Sequence, residues 1–181
     1  MASLIEKDAL WQWFADYYKN PEPARLATVV LAASKAGLLT KDKAMGPVLG
    51  FLAGWLSRNQ SLAQGLIEDL STLSETDLSV PILGLWHSSI PESKQLLAKL
   101  SDRFPSQVNR IADLIKNQQV RLMDIPLEQE PWVLDALWGY FMATGDEAPV
   151  IRIMEALTWA EDKSDIPQLL NAIGKVAKWS L

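Results

Sequence analysis

The chain has no cysteine and only one histidine. The first absence removes disulfides, cysteine-based zinc sites and thiol nucleophiles together. The second leaves a transition-metal site without the several nitrogen or sulfur ligands that zinc favours, so no metal or cofactor is expected. Positive charge is also scarce: 17 Lys and Arg stand against 22 Asp and Glu, a net charge of −5. The basic residues gather only as sparse pairs, Lys41 with Lys43 and Lys175 with Lys178. A polyphosphate reader shows a basic stripe, so nucleic acid is not an expected partner. The longest apolar-rich stretch, AMGPVLGFLAGWL at 44–56, falls short of the roughly 20 residues that span a bilayer.

The opening residues, MASLIEKDALWQW, show no basic region followed by an apolar stretch, so no signal peptide is expected. A soluble, cytoplasmic protein follows, or a periplasmic one if a leader once preceded this sequence. No stretch alternates apolar and polar residues long enough to form a sheet strand. Walker A, dinucleotide-fingerprint, calcium-loop and G-x-S-x-G patterns are missing too.

What remains is helical. At 181 residues and 49% hydrophobic, the chain suits one all-α domain with a substantial core. Residues 4–19 place Leu10, Trp13, Phe14 and Tyr17 on one face, behind a capping box of Ser3 and Glu6. Asn20-Pro21-Glu22 reads as the N-cap of the next helix. Its run ARLATVVLAASKA is apolar nearly all round, as in a central buried helix, and Gly37 closes it. Further helices are expected from Lys41 or Pro47 to Ser57, over 61–73, through 81–86, over 91–104 and around 108–115. Residues 117–130 lack a helical period and read as a connection pinned by Leu122, Met123 and Ile125. Helices resume over 131–143, 147–159 and 165–181, for nine or ten in all.

A pattern recurs four times: an aromatic-ended helix, a polar turn, a small residue and a second helix. The segments are FADYYKNPEPARLATVV, LAGWLSRNQSLAQGLIEDL, LGLWHSSIPESKQLLAKL and LWGYFMATGDEAPVIRIMEAL. In each, an aromatic (Tyr17, Trp55, Trp86, Trp138) precedes a small residue (Ala24, Ala63, Ser93, Ala148), which lets two helices approach closely. The last segment reads as a hairpin with Gly145 at the cap, Asp146 and Glu147 at the positive end of the next helix, and Pro149 in its first turn. Irregular spacing makes this a degenerate repeat of stacked αα-hairpins.

The pieces GPVLGFLAGWLSRN, LWHSSIPESKQLL and PWVLDALWGYFMATGDEAPVIRIMEAL resemble a family of uncharacterised bacterial all-helical proteins. The hairpins are also similar to tetratricopeptide-like repeats, departing from their 34-residue consensus. These resemblances imply a fold and bring no catalytic residues.

Gly46, Gly50 and Gly54 form a stripe on one helix face, at a propensity cost of roughly 2–3 kcal/mol relative to alanine. A close helix crossing would offset that; a ligand or a partner backbone lying in the groove is the alternative. His87 lies beside Ser88 and Ser89, but neighbours on one helix end diverge, which argues against a triad and for a capping or surface histidine. The carboxylate pairs, such as Glu68-Asp69 and Asp146-Glu147, sit where helix ends are solvated.

The leading expectation is therefore a non-catalytic protein- or peptide-binding module, with Trp55, Trp86, His87, Trp138, Tyr140 and Arg152 as the candidate binding surface. The alternatives are a carrier of an apolar small molecule or lipid in a Trp-lined pocket and an enzyme of unfamiliar class. In the last helix, Leu169, Leu170, Ile173, Val176, Ala177 and Leu181 form a face expected to pack on the preceding hairpin. Without a glycine cap or polar tail after it, this helix is expected to continue beyond Leu181 or to be covered by a second copy as a homodimer.

Overall fold

The computed structural model describes residues 4–40, 42–161 and 166–181. Among these residues the architecture is all-α, with ten helices and no strand. They are α1 (Leu4–Asp16), α2 (Leu26–Lys35), α3 (Asp42–Arg58), α4 (Ala63–Leu70), α5 (Ser79–Ser88), α6 (Ser93–Arg103), α7 (Val108–Lys116), α8 (Trp132–Thr144), α9 (Ala148–Glu155) and α10 (Gln168–Ser180). Ser3 of the expected capping box lies outside the described residues, as does Lys41.

The central helix is α3, and α2 is peripheral, contrary to the apolar look of its sequence. Val48, Leu49, Phe51, Leu52, Ala53, Trp55 and Leu56 are all buried, so α3 meets protein on nearly every side. In α2 only Leu26, Val29, Val30 and Ala33 are buried. The alanines that made α2 seem apolar all round tolerate water, and Ala27 and Ala32 stay partly exposed.

α3 and α8 run in the same direction, in contact along their lengths. Gly46 faces Trp132 to Ala136, Gly50 faces Ala136, and Gly54 faces Tyr140 to Thr144. The fit is reciprocal: a Cβ on Gly139 would lie 1.8 Å from the Pro47 carbonyl oxygen. The glycine stripe is thus a backbone-to-backbone crossing, and Pro47 sits inside α3, so the helix begins before the proline. On another side α5 approaches through Gly84, whose Cβ would come within 2.7 Å of the Leu52 Cβ. From α1 the ring of Phe14, and from the turn after it the ring of Tyr17, meet Phe51 edge-on, with centroids 4.8 and 5.1 Å away.

Helix ends follow local chemistry. Gly37 takes φ +72°, while its N–H bonds the Ser34 carbonyl and that of Leu38 bonds Ala33, a Schellman closure of α2. Gly145 does the same service after α8, at φ 65° with its N–H on the Phe141 carbonyl, and Asp146 then accepts from the Ala148 N–H at 3.0 Å. Asn20 is not an N-cap. It ends a 3-10 turn at Tyr17–Lys19, and α2 starts only after a second such turn at Pro23–Arg25. Pro21 and Pro23 each push the preceding residue out of the helical region: Asn20 sits at φ −145°, ψ 79° and Glu22 at φ −123°, ψ 72°.

The small-residue rule holds in the middle of the chain and fails at its ends. Ala63 and Ser93 are buried, but Ala24 and Ala148 are exposed. In the last hairpin the buried residue of the first turn is Pro149 instead. The 117–130 connection contains a 3-10 turn at Leu122–Asp124, and Leu122, Ile125 and Leu127 are buried.

Candidate functional site

The six residues singled out for binding lie on α3, α5, α8 and α9, each with a local partner. Trp55 is 1% exposed, and its indole N–H donates to the Tyr17 hydroxyl at 2.9 Å. Trp86 is buried; its carbonyl accepts from Gln119 and Lys94 Nζ lies 5.7 Å from its ring centre. His87 is half-buried. Its Nδ1–H donates to the Val120 carbonyl at 2.9 Å, and burial holds its pKa below the ordinary value despite that bond.

Beside it, Ser88 Oγ donates to the Leu85 carbonyl, and Ser89 takes a left-handed φ of 53°. Neither of these serines pairs with His87. Tyr140 shares a hydrogen bond with Ser57 at 3.1 Å. Arg152 reaches back to the 117–130 connection, donating to the carbonyls of Met123 and Ile125. Trp138 is half-buried, and its N–H donates to Ser180 Oγ of α10 at 3.1 Å.

That last bond leads to the helix that carries the most exposed large apolar side chain among the described residues, Trp179. The expected packing face of α10 divides in two. Ile173, Gly174 and Ala177 are buried, because α10 approaches the 3-10 turn Ala156–Trp159 very closely: a Cβ on Gly174 would lie 2.4 Å from the Ala160 nitrogen. Leu169, Val176 and Leu181, expected on the same face, point to solvent at 52%, 50% and 54% exposure. Trp179 is 88% exposed. The helix carries more apolar circumference than one surface can cover, and Gly174 fixes which arc faces inward. Leu169, Ala172, Val176 and Trp179 are all exposed and spaced three, four and three residues apart, the interval of a coiled-coil seam. The sequence reading missed Trp179; its spacing from Val176 and Leu169 is the signal of this second stripe, interleaved with the first.

A second feature lies between α1 and α2. A groove of about 440 Å³ is lined by Leu10, Trp13, Val29 and Ala32, with Glu6, Arg25 and Lys35 around its rim. Small side chains, Ala9, Ala32 and Ala36, leave it open. At one end the Trp13 N–H donates to Glu22 at 3.1 Å, and Glu22 also pairs with Arg25 at 2.7 Å. These partners hold the Glu22 carboxyl below its usual range, Arg25 first and Trp13 second.

Among the described residues no group of three His, Asp or Glu side chains could hold a metal ion, and no helix is long and apolar enough to cross a membrane. No family model, no curated protein and no solved structure matches the chain.

Proposed function

We propose that the protein is a non-catalytic recognition module built on a degenerate helical-hairpin repeat, and that the outer stripe of α10 is its recognition face. One observation carries this reading: Leu169, Val176 and Trp179 are exposed together on one helix. Single exposed apolar residues need no explanation, whereas an aligned row that includes a tryptophan is how interfaces are anchored. Stacked helical hairpins, the arrangement expected from the sequence, commonly serve as scaffolds for recognition. The test is co-purification of the wild type and a Val176→Asp, Trp179→Ser variant from the native host, with circular dichroism confirming an unchanged fold. A partner held by the wild type and lost by the variant supports the reading; identical sets of co-purifying proteins overturn it.

A second reading, a carrier of an apolar small molecule, rests on the groove between α1 and α2. Its volume of about 440 Å³ falls in the range of small-molecule sites, roughly 300–1,000 Å³, and Trp13 supplies the aromatic wall. Titration with a medium-chain fatty acid tests it, read by the fluorescence change that Trp13→Phe removes. Ala32→Leu fills the groove and should abolish binding; undiminished binding by that variant overturns this reading.

A further inference from the structure

We propose that the groove between α1 and α2 takes a single-chain amphipathic anion, a medium-chain carboxylate, with its tail against Trp13 and its head at Lys35. This rests on the carrier reading above and adds to it the charge of the head and the direction of the chain.

Two observations carry it. The first is that the apolar wall of the groove is ordered before any ligand arrives. The Trp13 ring meets those of Phe14, Tyr17 and Phe51, with centroids 5.4, 5.1 and 5.8 Å away, and its N–H donates to Glu22 at 3.1 Å. A ligand is thus spared the cost of fixing that side chain. With the N–H already spent, Trp13 offers the groove only its ring, a surface for an alkyl chain and not for a polar head.

The second observation is where charge is left over. Glu6, Arg25 and Lys35 are the charged side chains of the lining. Arg25 pairs with Glu22 at 2.7 Å, and Glu6 is engaged within the chain. Among the described residues the Lys35 ammonium has no hydrogen-bond or ion-pair partner, and Lys35 is exposed at the rim. It lies ten residues after Arg25, about 15 Å along α2, so the two cations stand at opposite ends of the groove. The Trp13 end is neutralised by its own residues, and the Lys35 end keeps an uncompensated positive charge. A carboxylate there accepts from the ammonium, whose flexible stem can follow the ligand. An ammonium head would be repelled, and a hydroxyl head would gain no ion pair. The net charge of −5 does little against this, because exposed charges beyond about 8 Å are screened at physiological salt.

The test is calorimetric titration of the whole chain with decanoate, decanol and decylamine, each kept below the concentration at which it aggregates. Decanoate should bind about threefold tighter than decanol or better, the scale of an ion pair at a surface, and decylamine should bind weakest. Lys35→Gln should bring decanoate and decanol level, and Lys35→Glu should move the preference to decylamine. Ala32→Leu, with circular dichroism confirming its helices, should abolish binding of all three.

Equal binding of decanoate and decanol by the wild type, lost in Ala32→Leu, would leave the carrier reading standing and overturn the anionic head. A preference for decanoate that survives Lys35→Gln would overturn Lys35 as its anchor. Binding of none of the three, or binding that Ala32→Leu leaves intact, would overturn the inference and the carrier reading together. A dimer in sedimentation that Ala32→Leu dissociates would overturn it in favour of a second copy seated in the groove.

Discussion

Gly50 of α3 lies so close to Ala136 of α8 that a Cβ on the glycine would sit 1.7 Å from the alanine carbonyl oxygen. The obstacle is backbone and cannot rotate away. Even Gly50→Ala must therefore separate two helices that hold the middle of the core, and the loss should exceed the roughly 1–3 kcal/mol typical of core overpacking. Gly139→Ala should behave alike, since its Cβ would meet the Pro47 carbonyl. Gly65 is the internal control: it lies in α4, is exposed, and has nothing within 4 Å of where its Cβ would be. Gly65→Ala should raise stability by about 0.5–1 kcal/mol, the ordinary helix-propensity gain. Urea midpoints of the three variants check both signs at once.

The same contact shows what could be read in advance. Three glycines four residues apart on an apolar helix have few explanations besides a close crossing, so one side of that contact was legible in the sequence. Its mate was less so: Gly139 is the one glycine within α8, WVLDALWGYFMAT, and a lone glycine in an apolar helix carries no spacing to interpret. Helix identities follow from periodicity, but their neighbours do not, and nothing local says that α8, far along the chain, would lie against α3. The central helix was misplaced for a related reason. Alanine counts as apolar in a pattern while contributing little burial, so α2 looked more enclosed than α3. The exposed row was harder to read because α10 carries two interleaved apolar stripes. Which one turns inward depends on the approach of Gly174 to Ala160, a tertiary event.

Arg152 fastens the 117–130 connection by donating to the backbone carbonyls of Met123 and Ile125, the latter at 2.7 Å. A planar guanidinium can serve two acceptors at once, and an ammonium on a thinner stem cannot hold the same fork. Arg152→Ala should cost about 1–3 kcal/mol, because partly enclosed carbonyls lose their donors. Amide exchange over residues 121–127 should quicken more than exchange in α3. Arg152→Lys should recover only part of the loss. Uniform acceleration across the chain would mean that the arginine supports the whole fold instead of this connection.

The tryptophans should divide by solvent access. Trp55 and Trp86 are buried at 1% and 4% exposure, whereas Trp179 is at 88%. Acrylamide should therefore quench a distinct accessible fraction, and Trp179→Phe should remove much of it with little change in stability. Trp55→Phe should leave that fraction intact and destabilise the protein by about 1 kcal/mol, through the lost hydrogen bond to Tyr17. Quenching that is unaffected by Trp179→Phe would mean that the outer stripe of α10 is already covered in solution.

The pH dependence of stability should carry the mark of His87. Burial disfavours its imidazolium, and the hydrogen bond to the Val120 carbonyl opposes this only in part, so the folded pKa lies below the ordinary value of 6.5. The nearest ring is that of Trp132, its centre 5.7 Å away, which has no titration of its own to confuse the reading. The unfolded chain protonates its histidine near the ordinary value. Between the two pKa values the unfolded state therefore binds more protons, and stability rises with pH. The contribution is complete above pH 6.5 and is lost as the pH falls below it, until the folded histidine also protonates. Asp135 acts in the opposite direction, since desolvation raises its carboxyl above 3.8 and folding then takes up a proton as the pH falls towards that value. Glu22, held low by Arg25 and Trp13, loses its contribution only in more acidic solution. Urea midpoints measured from pH 8 to pH 5 should thus fall with acidification in the wild type. They should stay nearly level in His87→Gln, while Asp135→Asn should keep the histidine slope. An unchanged slope in His87→Gln would assign the dependence to another group and leave His87 solvated in the folded protein.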